Sequence, residues 1–314
     1  MDLKTAGSTG AKLIMVGGKG GVGKTSCASA IALGAAKGGS RVLLISSDPA
    51  PSLSDIFECP IGDSETRLAP DCDLYGLEIS SEIILKKWKE RFGPEIYEVL
   101  SSFASVDYDF VDYIGSAPGI EEEFMLYFIV ELVQGHAYDL VVWDTAPAGH
   151  TLQLLKLPHL FLKHLEAATK FYLNMYSYLE KLKDSVRLKG TKKGLLDIIG
   201  GWERLSTGIL DFIRDGERTK YIIVTIPEAL GVKLTERMID ELHSNGLTVE
   251  NIIINYVIRE ADCPFHEARK RMQDRYIELL KSTYGTMNFK ELQLFPYEVK
   301  GLQSIDEVSR ILFE

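Results

Sequence analysis

The sequence predicts an α/β fold in which a doubly wound, mostly parallel sheet carries an inserted α-helical subdomain. Three observations predict it. Short apolar runs recur at 13–16, 41–46, 74–79, 139–143, 221–226, 249–257 and 291–295, and such runs suit strands buried on both faces. Helical patterns separate most of them, the alternation that builds a parallel sheet covered by helices. The polar motifs that carry chemistry stand directly after runs, at the strand ends where sheets of this kind bind ligands.

The first run, Leu13 to Val16, leads into glycines 17, 18, 20, 21 and 23 and then into a helical pattern that starts at Lys24. Residues 18–25 fit G-x-x-x-x-G-K-T, a loop whose backbone N–H groups turn inward onto phosphate oxygens. Gly20, Gly21, Val22, Gly23, Lys24, Thr25 and Ser26 are therefore the expected phosphate cradle. Lys24 reaches the β- and γ-phosphates, the Thr25 hydroxyl faces Mg²⁺, and the helix N-terminus adds its partial positive charge. A further lysine in the same loop, Lys19, exceeds what one phosphate site needs.

After the second run comes SDPAPSLSDIF, which puts Asp48 at the carboxyl end of a strand. There its carboxylate can orient a water for in-line attack on the γ-phosphate or reach Mg²⁺ through water. The run at 139–143 ends in DTAPAGHT, whose Asp144 is the acidic residue expected to anchor Mg²⁺. Pro49 and Pro147 stiffen these two loops, and Gly149 offers a pivot for a γ-phosphate sensor.

Residues 156–215 read as the helical insertion, and 1–155 with 216–314 as the nucleotide-binding core. Phe161, Leu165, Tyr172 and Met175 recur at helical spacing, and so do Trp202 and Ile209 among their apolar neighbours. The basic stretch KDSVRLKGTKKG joins the two stripes. Two amphipathic helices either pack on each other as ordinary core or present a groove to an apolar ligand, and the stripes alone fit both.

Composition narrows the function classes. With 46% hydrophobic and 25% charged residues in 314, the chain can bury a large core. Its net charge of −10 argues against a nucleic-acid partner, because binders of the phosphate backbone carry basic faces. The sequence shows no long uninterrupted apolar segment and no apolar signal core at its start, so a cytoplasmic protein is expected. Cys27, Cys59, Cys72 and Cys263 are too scattered for a disulfide scaffold and are expected as thiols.

KGGVGKT, with its early lysine, resembles the deviant phosphate loop of a large ATPase class. Taken with SDPAPSLSDIF, SAPGIEEE and DTAPAGHTLQLLKLP, the chain resembles the arsenite-pump and tail-anchored-protein targeting ATPases over essentially its whole length. The resemblance implies a homodimer in which Lys19 crosses the interface to the other subunit's nucleotide, and Asp48 as the catalytic aspartate of the first switch. It also implies a second switch from Asp144 to His150, Asn255 reading the adenine edge, Glu228 approaching the nucleotide across the dimer, and Pro296 opening a loop beside the base. Phe161, Leu165, Tyr172, Met175, Trp202 and Ile209 would line a groove for the transmembrane segments of tail-anchored clients, and delivery would call for a membrane receptor.

Departures from the family pattern are visible. Residues 51 and 52 are Pro-Ser where the targeting factors usually carry His-Asn, and Ala148 replaces a usual Thr. Where those factors have Cys-x-x-Cys, each copy donating two thiolates to one zinc at the dimer axis, this chain has Cys263 and His266. Two copies of Cys-x-x-His would still make an acceptable tetrahedral zinc site. The alternatives are an arsenite-stimulated ATPase of a metalloid pump, which would need clustered cysteines, and a partitioning or division-type switch, whose membrane form needs a basic amphipathic carboxyl-terminal helix.

Overall fold

The computed structural model describes residues 11–47, 52–103, 107–117, 120–145, 170 and 192–314. Among them eight strands, β1 (Leu13–Gly18), β2 (Val42–Ser46), β3 (Thr66–Arg67), β4 (Leu74–Glu78), β5 (Leu140–Asp144), β6 (Thr219–Thr225), β7 (Val249–Val257) and β8 (Asn288–Gln293), form one sheet. Their order is β3-β4-β2-β5-β1-β6-β7-β8, and every pairing is parallel except that of β3 with β4. The mostly parallel sheet expected from the sequence is therefore present. β1, β2 and β5 are buried at every position, which is why they read as unbroken apolar runs rather than alternating ones.

Two strands differ from expectation. β8 begins three residues earlier than the run at 291–295 and ends before Leu294, which is 51% exposed. As an edge strand it buries only Leu292, so its sequence carries little apolar signal. β3 is two residues long and leaves no periodicity to read.

The helices among the described residues are α1 (Lys24–Lys37), α2 (Ser52–Phe57), α3 (Ser81–Phe103), α4 (Phe110–Gly115), α5 (Ile120–Gln134), α6 (Lys192–Arg214), α7 (Ala229–Ser244), α8 (Pro264–Thr283) and α9 (Gly301–Phe313). α1 is buried along most of its length and packs between the sheet and α9. The two helices approach closely at Gly34, where a Cβ would stand 2.4 Å from the Phe313 ring and 2.6 Å from Ser309 Oγ. Lys37 pairs with Asp306 at 2.5 Å at the rim of the same contact.

The chain divides into two compact units: Met1–Ser80 with Glu131–Leu152 and Ile213–Glu314, and Ser81–Val130 with Gln153–Phe212. The sheet lies in the first. The second takes in residues 81–130, which the sequence reading left in the core. Within it α3 and α5 meet through Phe92, whose ring stands 5.9 Å from Phe124 and 5.5 Å from Tyr127.

Gly17, the fifth residue of β1, faces a closed space. A Cβ there would stand 2.1 Å from the Tyr221 hydroxyl oxygen on β6, and Tyr221 is 1% exposed, its burial pushing the phenol well above its usual range. Gly17→Ala should therefore lower stability by about 1–3 kcal/mol, the usual cost of overpacking. Denaturant melts check it: Tyr221→Phe in the same chain should recover part of the loss, and an undiminished midpoint for Gly17→Ala would contradict the packing described.

Candidate functional site

β1 delivers the chain to the glycine loop at the centre of the sheet, between β5 and β6. The loop turns on Gly21 and Gly23, with φ of 78° and 88°. Gly23 is required twice over: its backbone is left-handed, and a Cβ would lie 2.3 Å from the Asn255 side-chain nitrogen. Cβ atoms built on Gly20 and Gly21 would meet nothing within 4 Å, so this side of the loop is open. α1 starts directly behind it with no side-chain cap and no acidic residue in its first turn. Its leading N–H groups and its dipole therefore point at the open space, an arrangement that accepts an anion.

Lys24 is 7% exposed, and its Nζ donates to the Lys19 carbonyl at 3.5 Å. Among the described residues this long hydrogen bond is the one its ammonium makes, and a buried ammonium so paired is costly unless an anion joins it. Thr25 and Ser26 follow on the first turn of α1, and both are partly exposed. Lys19 itself is also partly exposed.

Asp144 closes β5 and stands in register with Val16 of β1 and Ser46 of β2, so it sits between the ends of both strands that lead into the loops. It is 1% exposed, and the next residue, Thr145, donates its hydroxyl to Val16 O at 3.0 Å. Across the strand ends Trp143 Nε1 donates to Ser47 Oγ at 2.9 Å. Asp48 lies outside the described residues, but its two flanks are anchored: Ser46 Oγ stands 3.2 Å from Ser52 Oγ, and the Glu78 carboxylate accepts from Leu53 N–H at 2.6 Å and from Ser54 Oγ at 2.6 Å. His150 and the rest of 146–150 also lie outside.

Asn255 is brought to the loop. It is 3% exposed; its Nδ2 donates to Val22 O at 2.9 Å and its Oδ1 accepts from Tyr256 N–H at 2.8 Å. Glu228, at the N-cap of α7, is paired with Arg269 of α8 at 2.6 Å, both side chains about 40% exposed. Pro296 is exposed in the turn after β8, followed by Tyr297, which donates its hydroxyl to Glu307 at 2.5 Å.

Cys263 caps the start of α8, with Pro264 next, the position where a proline costs no hydrogen bond. His266 Nδ1 stands 2.5 Å from Asp262 Oδ1, and the hydrogen bond holds the Asp262 carboxyl below its usual range. Ligand atoms of Asp262, Cys263 and His266 all lie within 4.8 Å of one another. The sequence reading left Asp262 out of this group, although an acid four residues before a histidine at a helix start is a readable signal. The other thiols are less available: burial pushes Cys27 up to about 12, and raises Cys59 and Cys72 as well.

In the second unit Trp202 and Ile209 line an apolar cavity of about 250 Å³ together with Trp88, Phe92, Phe124 and Tyr127. The Trp202 indole N–H is satisfied by Glu95 at 2.6 Å, so its ring turns an apolar face to the cavity. Phe161, Leu165, Tyr172 and Met175 lie outside the described residues. The wall from α3 and α5 was missed; its signal was the stretch of about 60 residues between β4 and β5, longer than one crossover helix needs.

Residues 11–314 match the profile of the family described as Anion-transporting ATPase. The chain is 31% identical to an ATPase ASNA1 homolog of Dictyostelium discoideum, over 96% of this chain and 90% of that one. It is 32% identical to ATPase GET3A of Arabidopsis thaliana, over 95% and 82%, and 31% identical to ATPase get3 of Neurospora crassa, over 95% and 89%. The substrate ATP and the metal Mg²⁺ fit the residues present, since the loop is open, basic and backed by a helix N-terminus, with a hydroxyl and a buried carboxylate beside it. The chain is an ATPase, and it belongs to the anion-transporting ATPase family.

Proposed function

We propose that this ATPase works as a cytoplasmic homodimer that encloses the transmembrane segments of tail-anchored membrane proteins and delivers them to a membrane. The observation that carries the reading is the aromatic-walled apolar cavity of the helical unit, at which the sequence also puts Trp202 and Ile209. Names of relatives, GET3 and ASNA1 ATPases, are in keeping with it. No helix among the described residues is long and apolar enough to cross a membrane. A metalloid pump would need clustered cysteines, and the one group of possible metal ligands among the described residues, Asp262, Cys263 and His266, holds a single cysteine.

In this account the glycine loop and the first turn of α1 hold the phosphates through backbone N–H groups, and Lys24 neutralises charge at the β- and γ-positions. Lys19 of each subunit adds a second cation to the nucleotide of the other. Thr25 and Asp144 would hold Mg²⁺, which when bound offsets charge on the phosphate oxygens. Asp48 accepts a proton-bearing edge of the attacking water and orients it in line with the leaving oxygen. Glu228 approaches the partner's nucleotide, and Asn255, which has used one N–H and one lone pair on the protein, keeps another of each for an adenine edge. Pro296 flanks the base. Binding ATP closes the dimer around the client and hydrolysis opens it, with a membrane receptor as the acceptor.

Zinc at the dimer axis is part of the proposal. His266 spends Nδ1 on Asp262, which fixes the ring and leaves Nε2 for metal, the usual carboxylate–histidine–zinc arrangement. Two copies of Cys263 and His266 would complete a tetrahedron. Elemental analysis of protein purified with zinc supplied should find about one zinc per two chains, in line with a four-ligand site. Cys263→Ser should lose it, and a zinc-free wild type would contradict the assignment.

Co-expression with a protein whose one apolar segment is a carboxyl-terminal transmembrane helix tests the function. A soluble complex is expected, with most of it lost in Trp202→Glu. No complex, from wild-type protein shown to bind ATP and to dimerise, would sink the targeting reading.

A further inference from the structure

β7 carries one residue more than β8 can pair. Ile254 stands opposite Glu291 and Val257 opposite Gln293, so three steps on one strand face two on the other. Such a bulge takes backbone groups out of the ladder. It also bends the chain into a conformation that residues with a Cβ disfavour: Tyr256 has φ of 61°.

One side chain meets both stranded groups. Gln273, on α8 and 3% exposed, donates from Nε2 to Tyr256 O at 2.9 Å and accepts at Oε1 from Ile258 N–H at 2.8 Å. The carbonyl can only accept and the N–H can only donate, so a carboxamide, with a donor and an acceptor in one plane, is the group that fits. On the other side of the bulge Asn255 accepts from Tyr256 N–H at 2.8 Å and donates to Val22 O at 2.9 Å. A continuous chain of hydrogen bonds thus runs from the buried face of α8 through the bulge to the phosphate loop.

We propose that Gln273 is a positioning residue for the nucleotide site. It holds the bulge in its left-handed form; the bulge aims Asn255; and Asn255 holds Val22, and with it the loop whose outer side stays open for phosphates. Gln273 touches no nucleotide, and its effect on binding passes wholly through Tyr256 and Asn255. The proposal rests on the nucleotide-site reading above. Both hydrogen bonds are partly buried, so removing Gln273 takes the partner from Tyr256 O and from Ile258 N–H and lets the bulge relax.

Gln273→Leu in the full-length chain is the test, with affinity read by titrating a fluorescent N-methylanthraniloyl derivative of ADP and turnover followed over a range of ATP. Kd should rise by about tenfold, the size expected when partly buried hydrogen bonds are broken, and KM should rise more than kcat falls. Adding Tyr256→Gly should recover part of the affinity, since glycine keeps a left-handed backbone without support. If Gln273→Leu does not fold, Gln273→Glu keeps the acceptor for Ile258 and loses the donor to Tyr256, and it is judged by the same readings. Unchanged Kd and KM, with only a lower melting temperature, would make Gln273 a packing residue and overturn the proposal. A wild-type chain that failed to bind the probe would overturn the nucleotide-site reading and this proposal with it.

Discussion

The hydrogen bond from Asn255 to the Val22 carbonyl is the contact on which the nucleotide end of the molecule depends. It joins the loop after β1 to the end of β7, a strand two places away in the sheet. Because the amide nitrogen lies where a Gly23 Cβ would be, the loop needs glycine there, and the chain can then reverse sharply into α1. The bulge in β7 supplies the reach: a regular strand would keep Asn255 in its ladder position. One local irregularity, held from behind by α8, therefore sets the shape of a loop that is more than 200 residues away in sequence.

Charge follows from the same geometry. Lys24 is nearly buried and among the described residues meets only a long contact with the Lys19 carbonyl, while α1 starts with no side-chain cap and no acid in its first turn. A chain of net charge −10 thus concentrates positive potential at one spot, and an anion binding there relieves the cost of the buried ammonium. Asp144 lies one strand away, so a buried carboxylate and the open glycine loop stand at neighbouring strand ends. α8 reaches this region twice, through Gln273 behind the loop and through Arg269 on Glu228, and its own start carries the Asp262, Cys263 and His266 cluster.

Much of this was legible in the sequence because the chemistry is written in consecutive residues. The loop from Gly18 to Thr25, its strand and its helix are contiguous, so a short pattern names all three, and Asp144 is the last residue of its strand. Residues that act through distant partners were not legible. Gln273 reads as one polar position on a helix, and nothing near it in sequence reveals the bulge it serves; Arg269 is hidden in the same way. The grouping of residues 81–130 with the helical unit was not legible because the apolar stripes of α3 and α5 look like those of any crossover helix, and only tertiary packing turns Trp88 and Phe124 toward Trp202. β8 was displaced because an edge strand buries little and writes little.

The central claim is that each ATP site is completed by the second copy of the chain. Mixing Lys19→Ala protein with Asp48→Asn protein, under conditions where subunits exchange, tests it most directly. Each variant alone should hydrolyse ATP poorly, one for want of the crossing lysine and the other for want of the water-orienting aspartate. In a mixed dimer the Lys19→Ala subunit keeps its own Asp48 and receives a lysine from its neighbour, so turnover should reappear. A mixture no more active than the sum of its parts, with exchange demonstrated, would contradict the shared site.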